Sequence, residues 1–222
     1  MAYSVGFGLY GKVDTYKPKP NIRPLDGDTR KIQLIDPTQD EGTRFTGIGF
    51  SNVGRHVLPE NMPTLARREG TGLTMYPKLD FHRLNGLALV SQKAKDAIES
   101  FEPTVHQFFP VEVTIGKRDE EYGVYFILFL GNRIETLERK LSGPYNKIGI
   151  CSTLVYGEGE LTLDSKQIDG HHLWVDPFVA QGMNFFFISD EIMIHFKKLG
   201  ITGLGELDRY IRIPETKDSV QQ

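Results

Sequence analysis

The sequence predicts an α+β domain: a mixed, largely antiparallel sheet with a few packed helices, entered through a loop-rich N-terminal region. Three observations predict it. VEVTI at 111–115 and YGVYFILFL at 122–130 read as strands joined across the charged segment GKRDEE, the pattern of an antiparallel hairpin. Two short apolar runs, LALV at 87–90 and NFFFI at 184–188, each lead through a serine into a segment of helical spacing. The chain up to Lys78 is rich in glycine, proline and polar residues and carries no long periodic pattern.

Composition sets the outer bounds. Of 222 residues, 39% are hydrophobic and 25% charged, as in an ordinary globular protein. A chain of this length buries a core without disulfides or metal. The single cysteine, Cys151, allows no internal disulfide and fits a reducing compartment. No basic region followed by an apolar run opens the sequence, so no signal peptide is read there. The longest apolar run, VYFILFL, falls well short of the roughly 20 residues of a membrane span. The expected location is therefore the cytoplasm, with no membrane association. A net charge of −3 and a pI of about 6.1 argue against nucleic acid as a partner, which calls for a basic stripe. They admit a basic protein partner.

Taken in order, YKPKPNIRP at 16–24 is expected to be extended, because each proline biases its predecessor away from helix. DPTQDEGTR at 36–44 reads as an acidic loop, and PENMPTLARREG at 59–70 as the place for one short helix. After LALV, Ser91 caps a helix whose apolar face is Ala94, Ala97, Ile98 and Phe101, ending at Glu102–Pro103. The strand at 122–130 is apolar on both faces and is expected to be central. Asn132 and Glu135 have capping-box spacing, so a helix with the stripe Ile134, Leu137 and Leu141 is expected, stopped by Gly143–Pro144. In the last segment Ser189 is the N-cap and Asp190 and Glu191 favour the positive end of the helix dipole. Ile192, Phe196 and Leu199 face the core, Lys197 and Lys198 occupy the last turn, and Gly200 is the left-handed stop. LALVSQKAKDAIESF and FFFISDEIMIHFKKL align serine on serine, either as an internal repeat or as two uses of a common unit. The organisation expected is a packed N-terminal region at 1–79, an α+β domain at 80–214 and a disordered tail at 215–222.

Four groups of residues invite a chemical reading. GFGLYGKV at 6–13 matches a dinucleotide or kinase glycine loop, but only five residues precede it and KVDTYKPKP cannot be the helix that follows. His171 and His172, with Asp169 and Asp176, could do acid–base or metal chemistry only if they converged, and no HExxH or Cys/His pattern supports it. Cys151 with His172 or His195 could form a nucleophile–base pair, yet a cysteine on a strand usually behaves as a small hydrophobe. Ser189, Asp190 and Glu191 are already explained by capping, and no G-x-S-x-G elbow surrounds the serine. The reading assigns no catalytic, metal or cofactor residue. It places partner contacts on acidic turns and aromatics: Asp119, Glu120 and Glu121 beside Lys117 and Arg118, Glu158 and Glu160 in YGEGE, QDEG at 39–42, and Trp174, Asp176 and Phe178 in a loop.

Three stretches carry a resemblance. LALVSQKAKDAIE, VYFILFLGNRIETLERKLS, and LTLDSKQIDGHHLWVDP followed by FFISDEIMIHFKKLGITGLG are similar to an immunity-protein family of bacterial polymorphic toxin systems, formerly known as a domain of unknown function. The similarity runs over residues 80–207. It implies a protein that neutralises a cognate toxin inside the producing cell by binding it, without turnover and without a cofactor. It implies structural roles for the signature residues, Ser91 and Ser189 as caps and Gly203 in a turn. An enzyme with a site at Asp169, His171, His172 and Asp176, or an adaptor of a secretion apparatus, are the competing expectations. The oligomeric state is left open.

Overall fold

Along residues 125–130 successive side chains point to opposite sides, as a strand requires, and both sides are packed. Tyr125, Ile127 and Phe129 enter one apolar cluster, and Phe126, Leu128 and Leu130 another. The computed structural model that shows this describes residues 2–6, 21–36, 54–70, 77–147, 149–151, 159–179, 185–204, 211–213 and 215–216. In chain order its elements are β1 (Ala2–Gly6), β2 (Asn21–Pro24), β3 (Leu65–Glu69), β4 (Phe81–Leu84), β5 (Leu87–Val90), α1 (Gln92–Glu99), β6 (Gln107–Ile115), β7 (Glu120–Phe129), β8 (Leu163–Asp164), α2 (Ser165–Ile168), β9 (Leu173–Trp174), β10 (Phe185–Ser189), α3 (Asp190–Leu199), β11 (Ile211–Ile213) and β12 (Glu215–Thr216).

Six strands close into a barrel in the order β2-β3-β6-β7-β5-β4. Strands from both sides of residue 80 share it. A second sheet runs β11-β1-β10-β9, with antiparallel neighbours, and β8 pairs with β12 in parallel. The α+β class of the sequence reading holds, and the barrel is its specific form. Ile22, Leu84, Leu87, Leu89, Val111, Val113, Ile127 and Phe129 fill the barrel. The helices α1 and α3 lie between barrel and sheet, sealing Val90, Leu128 and Leu130 against Phe186, Ile188, Ile192 and Phe196. A third cluster, Trp174, Phe187, Cys151 and Leu163, packs on the other face of the second sheet. Ile127, Leu128, Phe129 and Leu130 are each at most 2% exposed, and burying such side chains is worth about 1.5–3 kcal/mol apiece. The strand is central, as expected, but it is covered on both sides only toward its end: Val124 is 54% exposed.

The 107–129 hairpin is longer than the sequence reading and contains a proline. Glu112 donates its N–H to Thr64 O, so even-numbered amides of β6 point toward β3. The β3 pairing starts at Glu112. Pro110 therefore sits where no partner strand asks for an N–H, an edge-like position at which a strand tolerates proline. Farther along, a bulge shifts the register between Val113 and Thr114. Gly123 supplies the backbone for it at φ 138°. The bulge turns Tyr122 inward as well as Tyr125, and their rings stack at 5.7 Å.

Ser91 and Ser189 cap α1 and α3 with nearly the same dihedrals, φ/ψ −70°/166° and −74°/163°, accepting from Ala94 and Ile192 N–H. The two strand–serine–helix units thus share local geometry, one in the barrel and one in the second sheet. Gly200 ends α3 in the left-handed region. Leu199, however, is 41% exposed, and Met193 takes the place expected for it beside Ile192 and Phe196.

Two expected helices are absent. Residues 65–69 form β3, pairing with both β2 and β6. The 132–141 stretch forms no helix: it is irregular, with isolated bridges at 133 and 137 and a turn at 138–141, because its backbone donors at 134–138 are claimed from outside. Thr136 and Leu137 N–H donate to the Asp176 carboxylate, Ile134 N–H to Val175 O, and Glu138 N–H to Thr162 O. Asn132 does not cap; its amide donates to Glu102 and to Leu173 O. Tertiary hydrogen bonds override the local capping signal. The 16–24 stretch is extended where it is described, at 21–24. The loops at 37–44, including QDEG, and the glycine pattern beyond Gly6 lie outside the described residues.

Candidate functional site

Glu102 leaves the end of α1 and is buried, with both oxygens in use. Oε1 accepts from Asn132 Nδ2 at 2.7 Å and His172 N at 2.8 Å. Oε2 accepts from His106 Nε2 at 2.7 Å and Leu173 N at 3.0 Å. His106 Nδ1 in turn accepts from Gly131 N–H, which fixes Nε2 as the donor. Burial pushes the Glu102 carboxyl up, but these donors outweigh it and hold it below its ordinary value. The result is a clamp joining α1, the 131–132 segment and β9.

Asp80 forms a second knot. Its oxygens accept from Ser91 Oγ, from Thr202 N–H and Oγ1, and lie 3.1 Å from Lys93 Nζ. Its carboxyl too is depressed, burial being overcome by Ser91, Thr202 and Lys93. Beside it Gly203 has φ +87°, and a Cβ there would come within 2.2 Å of Phe81 O. The Thr-Gly of the signature is thus a fitted turn against β4.

His171 and His172 do not converge with Asp169 and Asp176. Asp169 is exposed. Asp176 is 3% exposed and accepts from Thr136 N and Oγ1, Leu137 N and Phe178 N. Burial raises its carboxyl against the pull of those donors. His172 Nδ1 lies 2.8 Å from Ser189 Oγ and 3.3 Å from Glu191 Oε2. A serine–histidine–carboxylate relay needs the serine on one ring nitrogen and the acid on the other. Here both approach the same nitrogen, and the serine is occupied as a cap. His195 packs edge-on against Phe101, as does His172. Cys151 is 0% exposed in the cluster of Trp174 and Phe187. Among the described residues no three His, Cys, Asp or Glu side chains gather as metal ligands. No helix among them is long and apolar enough to cross a membrane.

Inside the barrel, Arg68 is 1% exposed with its guanidinium 4.8 Å above the Tyr122 ring. His82 faces the same interior, accepting from Leu79 N–H through Nε2. Burial first, and the Arg68 charge second, lower its pKa to about 3, so the ring is neutral. Sequence reasoning missed Glu102, His106, Asp80, Arg68 and His82 because each is polar in a segment whose local pattern marks only an element end or a strand. Nothing local shows where such a side chain is buried.

The surface residues sort differently from the sequence reading. Trp174 is on β9, not in a loop, and is 0% exposed, its indole donating to Thr136 Oγ1 and stacking on Phe187. Trp174 and Asp176 therefore do not reach the surface. Phe178 is half-buried, with the Arg139 guanidinium 4.1 Å from its ring centroid. Asp119 takes a bidentate pair from Arg67, 2.7 and 2.9 Å, and a bond from Thr114. Glu120, Glu121 and Glu160 are exposed. Glu158 lies outside the described residues.

No curated protein matches the chain. A family model described as "Immunity protein family (Imm11)" matches residues 20–205, a span that takes in the barrel, both long helices, the Glu102 and Asp80 knots and the Thr-Gly turn, and on that match the chain belongs to the Imm11 immunity protein family.

Proposed function

We propose that this chain binds a cognate bacterial toxin and neutralises it in the cell that makes both, by covering the toxin's active or functional surface. The observation that carries the reading is the family match over residues 20–205. The geometry supports it: the serines, histidines and buried carboxylates that look reactive are held in caps, clamps and turns. What such a scaffold offers a partner is its outside. A contact burying about 1,200–2,000 Å² in total is enough if a few anchors are well packed. Because the chain carries a net charge of −3, a basic toxin is the favoured partner, met in the cytoplasm.

Co-expression with the neighbouring reading frame tests the proposal. The neighbour is expected to be lethal alone and harmless beside this chain, and the two purified proteins are expected to co-migrate by size-exclusion chromatography. A harmless neighbour, or two proteins that elute apart, removes the reading. Turnover of a small molecule by the purified chain, lost on replacing His171 or Cys151, would replace it with an enzyme.

A further inference from the structure

We infer that the outer face of β3, β6 and β7 is where the toxin docks, with Glu112 at its centre receiving an arginine or lysine of the toxin; this rests on the toxin-binding reading above. Paired residues of neighbouring strands share a face. The registers set Leu65 beside Glu112, and Glu112 opposite Val124. Pro110 and Phe126 form the next row. Leu65 is 43% and Val124 54% exposed, and Pro110 and Glu112 are exposed with them. Scattered apolar residues on a surface need no explanation. These are contiguous in register, and the same face of β7 is sealed at Leu128 within the cluster that holds α1.

Charge selects the occupant. The cations on or beside this face are already paired: Arg23 with Glu69, Arg67 with Asp119, and Lys95 with Glu99. Lys117 and Arg118 lie in the turn beyond the strand ends. Among the described residues Glu112 and its neighbour toward the tip, Glu121, have no ion-pair partner. An unneutralised carboxylate flanked by the apolar Leu65, Val124 and Pro110 fits a basic side chain set in apolar surroundings. Covering that pair removes water from it and strengthens the attraction. A second copy of this chain is the wrong occupant, because a two-fold contact brings the same patch to itself and would set carboxylate against carboxylate.

The test is titration calorimetry of the full chain and its variants with a catalytically inactive form of the neighbouring toxin, alongside thermal melts. Glu112→Lys is expected to weaken binding by about tenfold or more, and Val124→Asp to weaken it in the same direction. Glu135→Lys makes the same charge change on an exposed residue outside these strands and is expected to leave binding unchanged. If Glu112→Lys does not fold, Glu112→Gln serves, with a smaller loss expected. Wild-type affinity in Glu112→Lys (or in Glu112→Gln where that serves) and in Val124→Asp overturns the docking face while leaving the toxin-binding reading in place. A wild-type chain that binds no toxin removes both. A wild-type dimer in sedimentation that Val124→Asp dissolves assigns the face to self-association and overturns the proposal.

Discussion

Asp80 and Thr202 lie 122 positions apart and hold each other by three hydrogen bonds. The Asp80 amide donates to Thr202 Oγ1, while Thr202 N–H and Oγ1 both donate to Asp80 Oδ2. The same carboxylate accepts from the N-cap Ser91. One residue thereby ties the first strand of the barrel's second half, the start of α1 and the turn after α3.

Breaking that tie has a predictable cost. Thr202→Val removes the hydroxyl and leaves the Asp80 amide without its acceptor. A loss of about 1–3 kcal/mol is expected, the usual range for an orphaned buried polar group. Urea unfolding of the purified variant measures it.

Acid should weaken the fold. Asp80 and Glu102 are depressed below their ordinary values of 3.8 and 4.5. A depressed carboxyl contributes stability that is present above its unfolded pKa and lost as pH falls through its folded one. Asp176, raised by burial, has the opposite sign. The midpoint of urea unfolding is expected to fall as pH drops below about 4.5, and the fall is expected to be shallower in Glu102→Gln. An acid profile of the same steepness in that variant contradicts the clamp.

The two caps can be compared directly. Ser189→Ala is expected to cost about 0.5–2 kcal/mol, the range for a lost N-cap. Each serine also has one further side-chain partner, Asp80 for Ser91 and His172 for Ser189, so Ser91→Ala is expected to lower the melting temperature by a similar amount. A Ser91→Ala variant that melts like the wild type would deny Asp80 its place in the knot.

Gly203 tolerates no side chain. Its φ is +87° and a Cβ would meet Phe81 O at 2.2 Å, so Gly203→Ala is expected to leave little soluble, folded protein, as circular dichroism would show.

Asp119 is the contrasting case. Its pair with Arg67 is on the surface, with 46% of the Asp119 side chain exposed. Such pairs are worth about 0–1 kcal/mol. Asp119→Ala should melt within a few degrees of the wild type.

The sequence was most readable where local chemistry and tertiary structure agree. Ser91 and Ser189 announce their helices because a capping serine acts within one turn, and VYFILFL announces a central strand because both faces are apolar, although the side that carries Val124 is left open. It was least readable where a distant group decides. Asp176 draws Thr136 and Leu137 out of a helix that Asn132 and Glu135 signal, and the strand read from Val111 begins at Gln107, because the missing partner at that point of β3 leaves no trace in β6. Trp174 reads as a surface anchor because the nearby Pro177 suggests a loop. The row proposed as the docking face was hidden for a related reason: Leu65, Glu112 and Val124 come from three separate stretches, and only the register brings them together.

Pro110 has a last consequence for how this molecule is recognised. A ring of strands has no selvedge, and where β6 overhangs β3 the proline withholds the amide that an incoming extended chain would need. At that point the barrel offers an extended chain side chains to read and no amide to pair with, and exposed side chains such as Val124 can be exchanged at less cost to the core than buried ones.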